Sequence, residues 1–463
     1  MTTSSPAVRK DVVIVGGGPA GMAAAWQLRD RDIVLLEQND VLGGRTKSHS
    51  RGDYWLNLGA HLFPAAGAHV RNLMADLGLE TVEVPGSKTA VSFEGPRGRK
   101  VYDARRIESY PFTLPLSAAD RAQLVRAGLT VRLKVRSYLA ASRPQPGETA
   151  AQRRDRMARF DGDRTFEALL GRLPPSVDAI FRTATRRVPA EMDELSAAAG
   201  ISIFAGNWAG RASGSPVNLM GGSGRLGEAV HGRLGERVVL GAQVSSIEPD
   251  GDGAVVRLTT AEGRSTIAAR HVIVATPAPV ARSLVADLAP EVDKALGSVA
   301  YEPFVSMAVL TRETGPMPWD DIYAILTPDL SFNMLFNHAN PLRGTSARAN
   351  GGSLMCYAGA RLAREVIGLP DAEIERRFRQ DLGRVYPQLA DLVTEAVVQK
   401  WEHGNWFQTP GSDLDALLRY REQPANVVHF AGDYLAAVSG SVEEATTAGV
   451  ETAHAVAAAL TRC

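Results

Sequence analysis

Gly16, Gly18 and Gly21, in the segment VVIVGGGPAGMAAAWQL, carry the first chemistry that the sequence offers. Their G-x-G-x-x-G spacing suits a pyrophosphate. Gly16 permits a tight turn, Gly18 lets the backbone approach the phosphates, and Gly21 lets a helix pack close on a strand. Free N–H groups at the start of the following helix would point at the phosphates. Glu37 closes the next apolar run, IVLLE, about 20 residues on, where a carboxylate accepts hydrogen bonds from ribose hydroxyls. A carboxylate there repels a 2′-phosphate, so NADP is the least suitable occupant. A second glycine pair, Gly43 and Gly44, precedes Arg45. It suits a long ligand whose diphosphate and further ring are both lined by backbone, with Arg45 as a fixed cation. Another match to the glycine spacing, Gly222, Gly224 and Gly227 in GGSGRLG, lacks a good preceding strand and a following acid. It reads as a loop entering a helix.

These residues need a strand, a helix and a second strand to hold them. The run Asp11 to Val15 suits a central parallel strand, and the Ala-rich run Gly21 to Arg29 suits a helix. The link RDRD lacks the usual glycine cap, so Asp30 or Asp32 is expected to take a left-handed turn. A chain of 463 residues exceeds one ordinary core and implies two or more domains. An apolar share of 45% and a charged share of 22% are those of a soluble globular protein. Basic and acidic residues both number 51, which gives no global attraction to nucleic acid. The two cysteines, Cys356 and Cys463, lie far apart, and the nine histidines are scattered. A disulfide framework, an iron–sulfur centre and a metal site are therefore not expected. No apolar signal core and no long apolar run is present, so the expected location is the cytoplasm.

VVIVGGGPAGMAAAWQL with VLLEQNDVLGGRT resembles the opening of the flavin amine oxidase superfamily, which includes monoamine and polyamine oxidases, protoporphyrinogen oxidases and carotenoid desaturases. The C-terminal segment NVVHFAGDYLAAVSGSVEEATTAGVETAHAV resembles it independently, as does the middle block from GGSGRLGEAV to AARHVIVATPAPV. The resemblance implies FAD. It places Gly432 and Asp433 at the ribityl and diphosphate, Val442 at a helix start near the pyrimidine edge, and Val244 at the adenine. Thr276 would lie near the dinucleotide, with Gly59 and Ala60 along the flavin ring. The fold implied is α/β, a discontinuous Rossmann-like FAD-binding domain (8–90, 215–285 and 405–463) with a second, α+β substrate domain (91–214 and 286–404). The latter combines a mixed sheet with a helical lobe near 117–200.

Within that frame, His61 in LGAHLF would bond a substrate carbonyl, shuttle a proton or simply bond backbone beside the cofactor. Trp406 and Phe407 match a segment whose aromatic residue often faces the flavin in relatives, with a core role as the alternative, and Tyr434 would line the same cavity. Amine-oxidising members usually carry a lysine on a substrate-domain strand, and the matching stretch YEPFVSMAVL has none. Neither the segment before FAGD nor the helix after it has the cysteine that holds covalent flavin, so noncovalent FAD is expected.

These departures favour the protoporphyrinogen oxidase and desaturase side. The expected reaction is dehydrogenation of a C–C or C–N bond in a largely apolar, cyclic or isoprenoid small molecule, with hydride passing to flavin N5 and electrons to O2 or a quinone. Two alternatives stay open: an amine oxidase forming imine and H2O2, and a non-redox flavin mutase resembling UDP-galactopyranose mutases, which LGAHLF also resembles. A non-catalytic carrier is disfavoured by the intact Glu37 and Asp433. The basic run from Arg121 to Arg164 reads as a solvated helix face, with peripheral membrane contact as the sharper alternative. A homodimer is also open; nucleic acid is not an expected partner.

Overall fold

The computed structural model describes residues 9–85, 89–104, 106–206, 214–344, 348–423 and 425–461. The strand Arg9–Val15 shows why its residues are so uniformly apolar. Val12 and Ile14 enter a core on one side of the sheet, Val13 and Val15 a core on the other. Burial on both faces is the condition of a central parallel strand, and each fully buried valine or isoleucine adds about 1.5–3 kcal/mol. Ile33–Leu36 pairs parallel on one flank and Gly263–Val274 on the other. Gly263–Val274 changes partner along its length: its first part pairs antiparallel with Gly253–Thr260, and Val272 to Val274 pair parallel with Val428–Phe430. Segments from the start, middle and end of the chain therefore share one seven-stranded sheet.

Two helices cover one face. Pro19–Gln27 leaves the first glycine turn, and Val442–Leu460 crosses it. A Cβ on Gly449 would lie 2.2 Å from the Ala20 carbonyl oxygen, so only glycine permits that crossing. The end of Pro19–Gln27 differs from expectation, because neither Asp30 nor Asp32 has a positive φ. Ordinary backbone bonds close the turn instead: Leu28 donates to Ala24 at 3.1 Å and Arg31 to Leu28 at 2.8 Å.

A second seven-stranded sheet runs Val393–Trp401, Phe304–Thr311, Gly352–Gly359, Met334–Asn337, Ala324–Leu326, Thr89–Gly95 and Gly98–Tyr102. It is mixed, since Ala324–Leu326 and Thr89–Gly95 pair parallel and the other neighbours antiparallel. Period-2 alternation divides its faces. Val305, Met307 and Cys356 pack outward beneath helices Arg361–Val366 and Asp371–Val385. Phe304, Met334, Phe336 and Tyr357 form the inner face.

Helices Ala118–Ala141, Pro175–Thr185 and Ala197–Ala205 make a separate lobe around Phe166, Phe181 and Phe204. Much of its basic run is spent on ion pairs: Lys134 and Arg164 with Asp161, Arg156 with Glu148, Arg159 with Asp155. Among the described residues no helix is long and apolar enough to cross a membrane.

Candidate active site

The first glycine turn is built as its spacing requires. Gly16 has φ +103°, and a Cβ on Gly21 would lie 1.8 Å from the Gly16 carbonyl oxygen. Gly18 faces open space. Gly43 and Gly44 also have positive φ; Gly43 N–H donates to Gly17 O at 2.8 Å, and a Cβ on Gly44 would come 3.2 Å from the Gly18 Cα. The two turns thus meet as backbone on backbone, leaving space beside Gly18 that no side chain fills. Glu37 is buried and accepts from Gly17 N–H at 2.7 Å, Asn39 N–H at 2.9 Å and the Asn39 side-chain amide at 2.5 Å. A carboxylate accepts about four hydrogen bonds, so capacity remains for about one ribose hydroxyl. Half-buried Val244 is the second residue of the strand Gln243–Asp250, whose first residue, Gln243, lines a polar depression with Gln38, Asn39 and Gly241. Thr276 stands against Gly16, and its hydroxyl is buried without a partner.

The second glycine spacing match has another purpose. Cβ atoms on Gly222 and Gly227 would collide with Ser48 and Leu42. These glycines pack a loop and the helix Arg225–Leu234 against the Leu42–Ser48 segment.

At the other end of the cradle, Arg45 reaches Asp433 through both guanidinium nitrogens, at 3.0 and 3.1 Å, and also donates to the Gly404 carbonyl. Asp433 is buried and accepts further from the Tyr301 hydroxyl and the Trp406 N–H, both at 3.3 Å. Burial works against the Arg45 charge, but Asp433, with a smaller share from Tyr301, outweighs it and raises the pKa. Gly432, in extended backbone, precedes this carboxylate, and Val442 begins the helix capped by Ser441. Gly59 wedges between Arg45 and Trp401: its Cβ would lie 2.1 Å from the Arg45 carbonyl oxygen and 3.5 Å from the Trp401 ring. Ala60 N–H donates to the same carbonyl at 2.8 Å. The Cβ-free gap at Gly18, the orphaned Thr276 hydroxyl and the buried Asp433 fit a dinucleotide carrying a further ring.

The aromatic residues differ from the sequence expectation. Trp406 is buried in the core beside Val15 and Val274, Phe407 in that of the helical lobe, and Tyr434 is fully buried with its hydroxyl unpartnered. Tyr434 therefore lines no open cavity; a Cβ at Gly432 would strike its ring, which folds back beneath the strand end. The inner sheet face instead presents Trp401, Phe304 and Tyr357 in a stack, with ring centroids 5.8 and 5.1 Å apart. Trp401 Nε1 and the Ser306 hydroxyl both donate to the Leu58 carbonyl at 2.7 Å, just before Gly59. Sequence reasoning missed Trp401 and Phe304. Their signal was the alternation of FVSMAVLT and the aromatic end of VVQKW, strands that pair Phe304 with Trp401.

His61 lies against the same face, edge-on to Phe336 and His338 with centroids 4.6 and 4.5 Å away. Its Nδ1 contacts the Gly59 carbonyl at 3.0 Å, which assigns the proton to Nδ1 and leaves Nε2 as a buried lone pair without a partner. Burial pulls its pKa down to about 4, against a small opposing effect of the Gly59 carbonyl. Both ring nitrogens of His338 are likewise buried and unpartnered, and its pKa is depressed by burial and then by His61. Cys356, on the outward face, points away from this site, and burial pushes its thiol pKa up. Cys463 lies outside the described residues.

A cavity of about 440 Å³ opens beyond Tyr357, between this sheet and the helical lobe. Leu326, Met334, Val91 and Phe204 are among the residues that line it. Phe112 and Leu129, exposed by 72% and 54%, stand at its mouth.

Comparison with known proteins extends this geometry. The flavin-dependent L-tryptophan oxidase RebO of Lentzea aerocolonigenes is 25% identical over 95% of this chain and 97% of its own length. The L-amino-acid oxidase of Demansia vestigiata is 24% identical over 98% of this chain and 87% of its own. Cyclohexylamine oxidase from Brevibacterium oxydans superimposes with a TM-score of 0.75 at 20% identity, covering 99% of this chain and 100% of that one. Residues 19–457 match the family described as flavin containing amine oxidoreductase. The glycine cradle, the acid at the end of its second strand and a match spanning nearly the whole chain agree: this protein is an FAD-dependent oxidoreductase and belongs to the flavin containing amine oxidoreductase family.

Proposed function

We propose that the protein oxidises the C–N bond of a small amine, releasing a carbonyl compound and ammonia and passing the electrons to oxygen as hydrogen peroxide. The observation that carries this reading is the stacked inner face. Trp401, Phe304 and Tyr357 extend from Gly59 toward the cavity with no carboxylate among them. An ammonium entering such a surface loses hydration, and desolvation lowers its pKa toward the free amine. Only the free amine has the nitrogen lone pair that lets the adjacent carbon give up a hydride. FAD held by the glycine cradle would supply the two-electron acceptor for this step and, on reoxidation by oxygen, give hydrogen peroxide. The imine left behind adds water and releases ammonia.

In this reading Gly16, Gly18, Gly21, Gly43 and Gly44 cradle the diphosphate, Glu37 holds the ribose, and Val244 and Thr276 border the dinucleotide. Arg45, Gly432 and Asp433 face the ribityl chain, with Gly59, Ala60 and the helix start at Val442 along the ring. His61 Nε2, neutral at physiological pH, offers a buried lone pair that can accept a hydrogen bond at this face. The strand Phe304–Thr311 has no lysine, which by itself favours an isoprenoid substrate. The amine and amino-acid oxidases among the relatives favour the amine reading, and the dry aromatic face supplies deprotonation without a lysine. The test is turnover. Purified holoenzyme with octylamine, benzylamine and L-phenylalanine is expected to release peroxide and ammonia in equal amounts from at least one. No peroxide from any amine, with uptake of a cyclic alkene substrate instead, would favour the desaturase reading.

A further inference from the structure

The cavity beyond Tyr357 is apolar along most of its wall, yet its charged residues are three arginines, Arg106, Arg132 and Arg187, against one acid, Glu108. Arg106 and Glu108 are exposed near the mouth, and Arg132 pairs with Glu108 at 3.8 Å. Arg187 is also exposed, and it lines the cavity wall together with Ala184, Ile203 and Phe204. Of its five N–H donors, one bond is seen, from Nη2 to the Ile203 carbonyl at 3.0 Å. No acidic side chain pairs with it among the described residues, and the remaining residues of the chain outside that description include no Asp or Glu. Desolvation by the surrounding wall lowers its pKa, with only the Tyr357 phenol opposing. A guanidinium on an apolar wall, with no acidic partner and one hydrogen bond among the described residues, has forked donors to offer, and a planar carboxylate matches their geometry.

Its position relative to the cradle sets the spacing. The Tyr357 hydroxyl contacts the Arg187 backbone carbonyl at 3.4 Å, and Tyr357 lies two stacked rings from Trp401, which borders Gly59. A carboxylate on the carbon bearing the amine would not span that stack. We propose that Arg187 anchors a substrate carboxylate remote from the reacting amine, so that the substrate class is an ω-amino acid or another long apolar amine ending in an acid. The identification of the amine end rests on the function proposed above; the anion site does not. A cationic diamine would be repelled by the arginine excess in the same cavity.

Equilibrium dialysis of the holoenzyme with octanoate and octanol reads the anchor without turnover. Octanoate is expected to bind the wild type at least about 10-fold more tightly than octanol, and Arg187→Gln to weaken octanoate about 10- to 100-fold while leaving octanol unchanged. Arg187→Lys should restore part of the loss. Equal binding of octanoate and octanol by the wild type overturns the anchor, whatever the variants do. In turnover, ω-aminooctanoate should exceed octylamine in kcat/KM, and Arg187→Gln should remove that preference. Oxidation of octylamine without any preference for octanoate would leave the amine reading standing and defeat the anchor. Arg187-dependent octanoate binding without oxidation of either amine would do the reverse.

Discussion

The Arg45 guanidinium and the Asp433 carboxylate, 388 residues apart in the chain, meet in a two-pronged ion pair of 3.0 and 3.1 Å. The pair ties the loop after the second glycine turn to the end of the strand Val428–Phe430. Asp433 is 3% exposed, so its charge depends on Arg45, the Tyr301 hydroxyl and the Trp406 amide.

Removing one partner should therefore cost more than removing the charge. Arg45→Ala leaves a buried carboxylate uncompensated and is expected to destabilise the protein by about 3–5 kcal/mol. Asp433→Asn removes the charge and keeps one of the two acceptor oxygens, and should cost less. Both should purify with reduced FAD. Denaturant unfolding and flavin-to-protein absorbance ratios check this, and equal stability of Arg45→Ala and wild type would contradict it.

Glu37 accepts from the Gly17 amide in the turn itself. Glu37→Arg is expected to yield colourless protein, because it removes that acceptor and fills the ribose site. Glu37→Gln should keep partial cofactor. A yellow, fully loaded Glu37→Arg protein would show that the ribose is held elsewhere.

His61 stays neutral down to about pH 4 because it is buried. Its titration therefore should not appear as an inflection near neutral pH in kcat/KM. His61→Ala should retain FAD and lower kcat about 10- to 100-fold at every pH, as loss of a neutral hydrogen-bonding group at the site does. Unchanged kinetics would make His61 a structural residue bonded to Gly59. An acid limb near the ordinary histidine pKa that vanishes in the variant would contradict its neutrality.

His271 and His429 give a separate acid response. Their ring nitrogens meet at 3.2 Å between paired strands, so one donates and the other accepts. Burial, then His271 and Arg421, lower the His429 pKa to about 3; burial and then Arg270 lower that of His271. A depressed histidine pKa means the unfolded chain binds more protons below its ordinary value of about 6.5. The stabilisation is complete above that pH and is lost progressively as pH falls toward the folded value, by at most about 1.4 kcal/mol per pH unit for each imidazole. The melting temperature should drop between about pH 7.5 and 5, and His429→Gln should shrink the drop. An identical drop in both proteins would exclude this pair as the cause.

What the sequence revealed followed local physics. The Gly16–Gly21 turn, the acid at Glu37 and the apolar strand Val12 to Val15 are each readable within a few residues, because glycine conformation, burial on both faces and helix dipoles act locally. Asp433 was legible only through resemblance, since nothing near it announces a partner at Arg45. For Trp406, Phe407 and Tyr434 the sequence leaves the ring direction open, because adjacency to a cofactor residue does not say which way a ring turns. Cross-strand register decides that, and it placed Trp401 opposite Phe304. Arg187 was invisible for a related reason. One arginine in a basic chain segment becomes distinctive only when every neighbouring acid is found to be engaged elsewhere.

Anaerobic mixing of the yellow holoenzyme with octylamine, followed by air, tests the central claim most directly. The account predicts that the amine bleaches the flavin, that air restores the colour within seconds, and that peroxide and ammonia appear in equal amounts. A flavin that stays oxidised with octylamine, benzylamine and ω-aminooctanoate, yet is reduced normally by dithionite, would contradict it.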